Sequence, residues 1–175
     1  LRKTQDARTL RLFVDEVRRI AGNLDAIVGD VKFPGSLIVV GDIHRGRVVE
    51  ARTGIEIGGT LEGAVIRATD GDINVAKGIQ AGAEGIVSAG RGVMAKFIEN
   101  ATIYARGDVI AERAILNSIV TTGGRVVVTG KKGIVIGGTI RAREGIEAEE
   151  IGGEGARTKI FFGLTLEALA VLEET

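Results

Sequence analysis

Residues 90–153 read GRGVMAKFIENATIYARGDVIAERAILNSIVTTGGRVVVTGKKGIVIGGTIRAREGIEAEEIGG, and the spacing of their apolar pairs decides the fold. Val93 and Ala95, Val109 and Ala111, Val126 and Val128, and Ile146 and Ala148 are apolar–x–apolar units, the pattern of a strand with one face turned inward. Upstream, the register continues through Ile73 and Val75 and through Ile55 and Ile57 to Leu37 and Val39. Successive steps are 18, 18, 20, 16, 17 and 20 residues, a repeat of about 18. A parallel column runs through Val49 with Ala51, Ile66 with Ala68, Val87 with Ala89, Ile103 with Ala105, Val120 with Thr122, and Ile140 with Ala142. Between them lies a third, at Ile43, Leu61, Ile79, Ile115 and Ile134, with Ile98 one residue early. Longer steps near 76–85 and 129–133 read as loops leaving a corner.

Three inward columns per repeat predict three inward faces. One repeat cannot bury such a core alone, but stacked coils can, each strand pairing in parallel with its equivalent one coil away. The expected architecture is therefore all-β, a parallel β-helix of about seven coils and on the order of 30 Å long. Its right hand is expected because the 16-to-21-residue steps are too loose for the strict six-residue spacing of left-handed hexapeptide coils. Three residues before each unit of the second column stand Gly46, Gly63, Glu84, Asn100, Asn117 and Gly137. Gly and Asn tolerate positive φ, so these positions read as left-handed corners. Asn100 and Asn117 fall in adjacent coils, where a structural ladder of stacked amides is expected.

Coil ends need covers. Residues 5–22 place Leu10, Phe13, Val14, Val17 and Ile20 at helical spacing with Gly22 as a terminator, and residues 165–174 form a second helical pattern after Thr165. Both predict capping helices, with Phe161 and Phe162 plugging the last coil. The expected division is a helix and lead-in over 1–34, the β-helix over 35–163 and a helix over 164–175.

Composition narrows the function. Lys and Arg number 23 and Asp and Glu 23, so the formal charge is zero, which disfavours a coat for nucleic acid or anionic membrane. Arg45, Arg47 and Arg52 cluster, but acidic neighbours and few aromatics count against nucleic acid there too. Cysteine is absent, which excludes disulfides, thiolate metal sites and a Cys nucleophile. Gly accounts for 27 of 175 residues and Pro for one, Pro34, a balance of tight turns and short strands rather than of collagen or a linker. No apolar run approaches about 18 residues, so no integral membrane segment and a cytoplasmic location are expected.

The chemistry-bearing residues are few. His44 is the single histidine, and Asp42 two residues before it is the one candidate for an acid–base pair. Asp42, Asp72 and Asp108 recur in Gly-Asp turns, but their separations of 30 and 36 residues do not match nine-residue calcium repeats. Neither a metal nor a cofactor is expected, and no catalytic residue is assigned. Lys131 and Lys132, between Gly130 and Gly133, form the candidate partner contact, a pairing suited to phosphate or an acidic protein. The run is not a P-loop, because Gly133 is followed by Ile134.

The strings AKFIENA (95–101), GDV (107–109) with Asn117–Ser118, and GKKGIVIGG (130–138) resemble the flagellar assembly protein A (FapA) family, and the GDI turns at 41–43 and 71–73 continue the style. The resemblance spans about 35–163. It implies a right-handed parallel β-helix and a non-enzymatic role in flagellar assembly or placement, and it supplies no catalytic residue or cofactor. The expected partner is a protein, with a homo-oligomer open. Alternatives are a self-assembling scaffold in the style of bactofilins and, through His44, an acyl- or sugar-transfer enzyme.

Overall fold

The computed structural model describes residues 16–163 and Ala170. Among them the chain winds as an all-β parallel solenoid of about eight turns built from seventeen strands. Every ladder between strands is parallel. Each turn has three faces. The first is laid down by Val17–Ile20, Ser36–Val39, Gly54–Ile57 and their successors, and the third by Val31–Phe33, Val48–Ala51, Val65–Ala68 and theirs. The second face is shorter and often continuous with its neighbours, so that Val109–Thr122 runs unbroken through all three.

The stacking follows the repeat. Leu37 pairs with Ile55, Ile55 with Ile73, Ile73 with Val93, Val93 with Val109, Val109 with Val126, and Val126 with Ile146. The third face runs Val49, Ile66, Val87, Ile103, Val120, Ile140 in the same way. Parallel sheets are ordinarily covered on both sides and read as continuous apolar runs. Here one side of each strand lines the coil and the other meets solvent, so the runs alternate instead. The inward residues form one core extending from Leu24 to Ala142. Thr122 stands in the inward column where neighbouring turns carry alanine and is fully buried. Its hydroxyl donates to the Gly107 carbonyl and accepts the Gly124 amide at 3.1 Å, so it brings no unpaired polar group into the core.

Several expectations change. Val17–Ile20 is a strand rather than the end of a helix, paired residue for residue with Ser36–Val39. The helical spacing of its apolar residues loses to a ready-made parallel partner, as tertiary pairing overrides local pattern. The rest of the expected first helix, up to residue 15, lies outside the described residues. This strand, fully buried Leu24 and Val31–Phe33 make an additional first turn, which raises the count from seven. The helix expected over 165–174 also lies outside them, except Ala170, which is helical. In the middle column Ile98 is in register with Ile79 and Ile115, and Val135, not Ile134, follows Ile115 inward. Ile134 pairs instead with outward Ala114, because the inserted 129–133 loop shifts the phase. Of the two terminal phenylalanines, Phe162 pairs with Ala142 in the inward column, whereas Phe161 pairs with Arg141 on the outward side. The Arg141 guanidinium lies 5.3 Å from the Phe161 ring centroid.

Candidate interaction surface

The turns are held over one another by side chains as well as by backbone. Asn23 accepts the Asp42 amide at 2.9 Å, Asp42 accepts the Thr60 amide at 2.7 Å, Asp72 the Gly92 amide at 2.8 Å and Asp108 the Arg125 amide at 2.8 Å. Each acceptor serves a donor one turn further on. The recurrent aspartates therefore act as staples between turns, and no set of three or more His, Asp and Glu side chains suited to a metal ion occurs among the described residues.

Asp42 does not pair with His44. Asp42 Oδ1 is instead taken by the Thr60 amide, and His44 lies in an outward column with Glu62 in the next turn. His44 Nδ1 is 3.3 Å from Glu62 Oε2, and Asn23 Nδ2 is 3.4 Å from His44 Nε2. One neutral tautomer satisfies both, with Nδ1–H donating to the carboxylate and Nε2 accepting from the amide. The ring and Glu62 are both open to solvent. Asp25, on the other side of His44 in the column, accepts the amides of Ile27 and Val28. The Val28 amide, then that of Ile27, holds its carboxyl below the usual carboxylate range, with a smaller contribution from His44.

The left-handed corners fall at Gly46, Gly63, Gly82, Asn100, Asn117 and Gly137. Gly82, not Glu84, takes the third of these corners, because residues 81–85 form a short excursion closed by the Gly85 amide on the Ala81 carbonyl at 3.1 Å. Asn100 and Asn117, at φ 48° and 46°, are the two non-glycine residues with positive φ among the described residues. No hydrogen bond joins their exposed amides. The bonds made there are those of the Asn100 amide to the Leu116 carbonyl at 3.0 Å and of the Ala101 amide to Ser118 Oγ at 3.1 Å.

Lys131 and Lys132 occupy the tip of a tight turn closed by the Gly133 amide on the Gly130 carbonyl at 2.9 Å. Both are exposed, and neither has an ion-pair partner among the described residues. The turn rests on a fixed base, since the Gly133 carbonyl accepts the amides of Glu149 and Glu150 from the last turn. On the first face an open groove of about 400 Å³ runs past Ile38, Val40, Asn74, Met94 and Lys96. It reaches neither His44 nor the 130–133 turn.

A solenoid whose turns are joined by side-chain as well as backbone hydrogen bonds, with a cationic loop at one corner, belongs to the class of stacked β-repeat proteins. The chain belongs to the flagellar assembly protein A β-solenoid domain family, whose model matches residues 16–174. That match begins at the first turn. No curated protein and no solved structure is significantly similar to the chain. No helix among the described residues is long and apolar enough to cross a membrane.

Proposed function

We propose that this domain is a rigid, non-enzymatic platform in flagellar assembly or placement, a right-handed coil with helical caps that works in the cytoplasm and holds a protein partner through Lys131 and Lys132. The observation that carries the reading is the paired, exposed lysines at the tip of a turn whose base is fixed by the neighbouring turn. Preorganised charge of this kind speeds encounter with an acidic surface and costs little ordering on binding. His44 adds no catalytic constellation, because its neighbours are an amide and an exposed carboxylate.

The test is Lys131→Glu/Lys132→Glu in the full-length gene, with flagellar number and position as the readout and protein level as the control. Altered flagellation at normal protein level is expected. Normal flagella in that strain would overturn the assignment of the loop.

A self-assembling scaffold is the second reading. It is favoured by Phe162, an inward-column residue that remains 70% exposed at the last described turn. Light scattering of the chain lacking residues 164–175 tests it, and a mass that stays constant with concentration would eliminate it.

A further inference from the structure

The corner between the first and second faces is two residues long in most turns but one in the fifth and five in the seventh, and the register shows what this irregularity conceals. Residues 76–77 fill it in the fourth turn, 96 alone in the fifth, 112–113 in the sixth and 129–133 in the seventh. Lys77, Lys96, Arg113, Lys131 and Lys132 therefore stand on one edge of the solenoid in four successive turns. All five are exposed and none has an ion-pair partner among the described residues. Glu112 is the one carboxylate on that stretch of edge. At about 4.8 Å per turn the ridge is about 14 Å long.

In the sixth and seventh turns the second face beside this ridge is apolar where the alternating pattern calls for polar residues. Ala114 and Leu116 of the sixth turn pair with Ile134 and Ile136 of the seventh, all on the outward side, and Phe97 pairs with Ala114 from the fifth. Phe97, Leu116, Ile134 and Ile136 are half-buried. The earlier turns of the same column carry His44, Glu62, Gln80 and Glu99 instead, and the Glu99 carboxylate accepts the Gln80 side-chain amide at 3.2 Å.

We infer that the ridge and this apolar strip together form a docking surface for an acidic amphipathic segment of a partner protein. The segment's apolar side would lie on Phe97, Leu116, Ile134 and Ile136, and its carboxylates would face the five cations. A helix of about ten residues matches the length of the ridge. Charge complementarity sets the sign of the occupant. The four apolar side chains are half-buried, with the Phe97 ring laid over Gly78, which suits a protein surface better than insertion into a bilayer. Only Phe97 among them is aromatic, which gives no stacking platform for nucleic acid. The inference rests on the platform reading and extends its contact from one loop to four turns.

Selection of a random 16-residue peptide display library on the full chain tests it. Enriched peptides are expected to combine Asp or Glu with Leu, Ile or Phe at three- to four-residue spacing. Lys96→Glu/Arg113→Glu, still folded by circular dichroism, is expected to weaken a synthetic copy about tenfold or more, as is a rise from 0.05 to 0.5 M salt. Peptides without acidic residues, or binding unchanged in Lys96→Glu/Arg113→Glu, would overturn the ridge. Loss only in Lys131→Glu/Lys132→Glu would overturn the ridge while sparing the loop assigned above. Two further outcomes would overturn a protein-segment occupant: binding of phosphatidylserine vesicles or a single-stranded oligonucleotide in place of peptide, or self-association abolished by the ridge variant.

Discussion

Gly78 shows how narrowly single positions are specified. A Cβ at this residue would fall 2.1 Å from the Phe97 ring, which lies over it from the next turn. The pair places an aromatic ring on the outward side at the cost of any side chain beneath it. Gly78→Ala is expected to destabilise by about 1–3 kcal/mol in urea melts, as overpacking does. In a Phe97→Ala background the same substitution should cost little, and a cycle showing simple additivity would contradict the packing. Asp25 offers a second residue-scale test. Its ionised form accepts two amides of its own loop, so its folded pKa lies below the unfolded one. The stabilisation is then present above the unfolded value of about 3.9 and is lost as pH falls through the depressed folded value. The amide proton shifts of Ile27 and Val28 should titrate with a midpoint under about 3.9 and should not titrate in Asp25→Asn.

At the scale of the element, the corners decide where each strand stops. Asn117 holds φ 46° one turn from Asn100, and Gly137 follows it in the next turn. A left-handed backbone costs an ordinary L-residue roughly 1–2 kcal/mol, and β-branched residues suffer most. Asn117→Gly should leave stability near the parent, whereas Asn117→Val should lose about that amount in the same melts. Corners and inward columns were legible in the sequence because both are set by one repeat: Leu37 to Ile146 stack as the spacing requires. The first turn was hidden. Its first-face positions are Arg18 and Ile20, so the apolar–x–apolar signature is broken there, and only Val31 with Phe33, separated from Leu24 by six residues, keeps it. Val17 and Ile20 then satisfied a helical spacing equally well. The same cause hid most of the basic edge. Lys131 and Lys132 are adjacent and could be seen, but Lys77, Lys96 and Arg113 align only once corner segments of two, one, two and five residues are placed in register.

For the whole molecule, a formal charge of zero conceals segregation along the solenoid: cations gather on one edge of the fourth to seventh turns, whereas the last turn carries Glu144, Glu147, Glu149, Glu150 and Glu154. Stability is distributed unevenly as well. In a stack each turn contacts only its neighbours, so its resistance to opening is approximately its own contribution plus that of its interfaces. Turns spanning 93–142 are flanked on both sides and contain the longest strands, Val109–Thr122 and Ile134–Ala142. The first turn pairs through short strands of four and three residues and keeps Leu24 as its deepest anchor. Hydrogen exchange should therefore give a gradient, with the slowest amides in 93–142 and the fastest in the two end turns, 17–33 and 145–162. Leu24→Ala and Ile98→Ala separate this picture from a single cooperative unit. Each removes a fully buried side chain, at a cost of about 2–5 kcal/mol. In a stack, Leu24→Ala should speed exchange in the first two turns and leave 93–142 unchanged. Ile98→Ala should speed exchange in the turns on both sides of it. Equal acceleration across 17–162 by Leu24→Ala would mean that the solenoid opens all at once, and that a partner seated on the middle turns could not leave the first turn free to unwind.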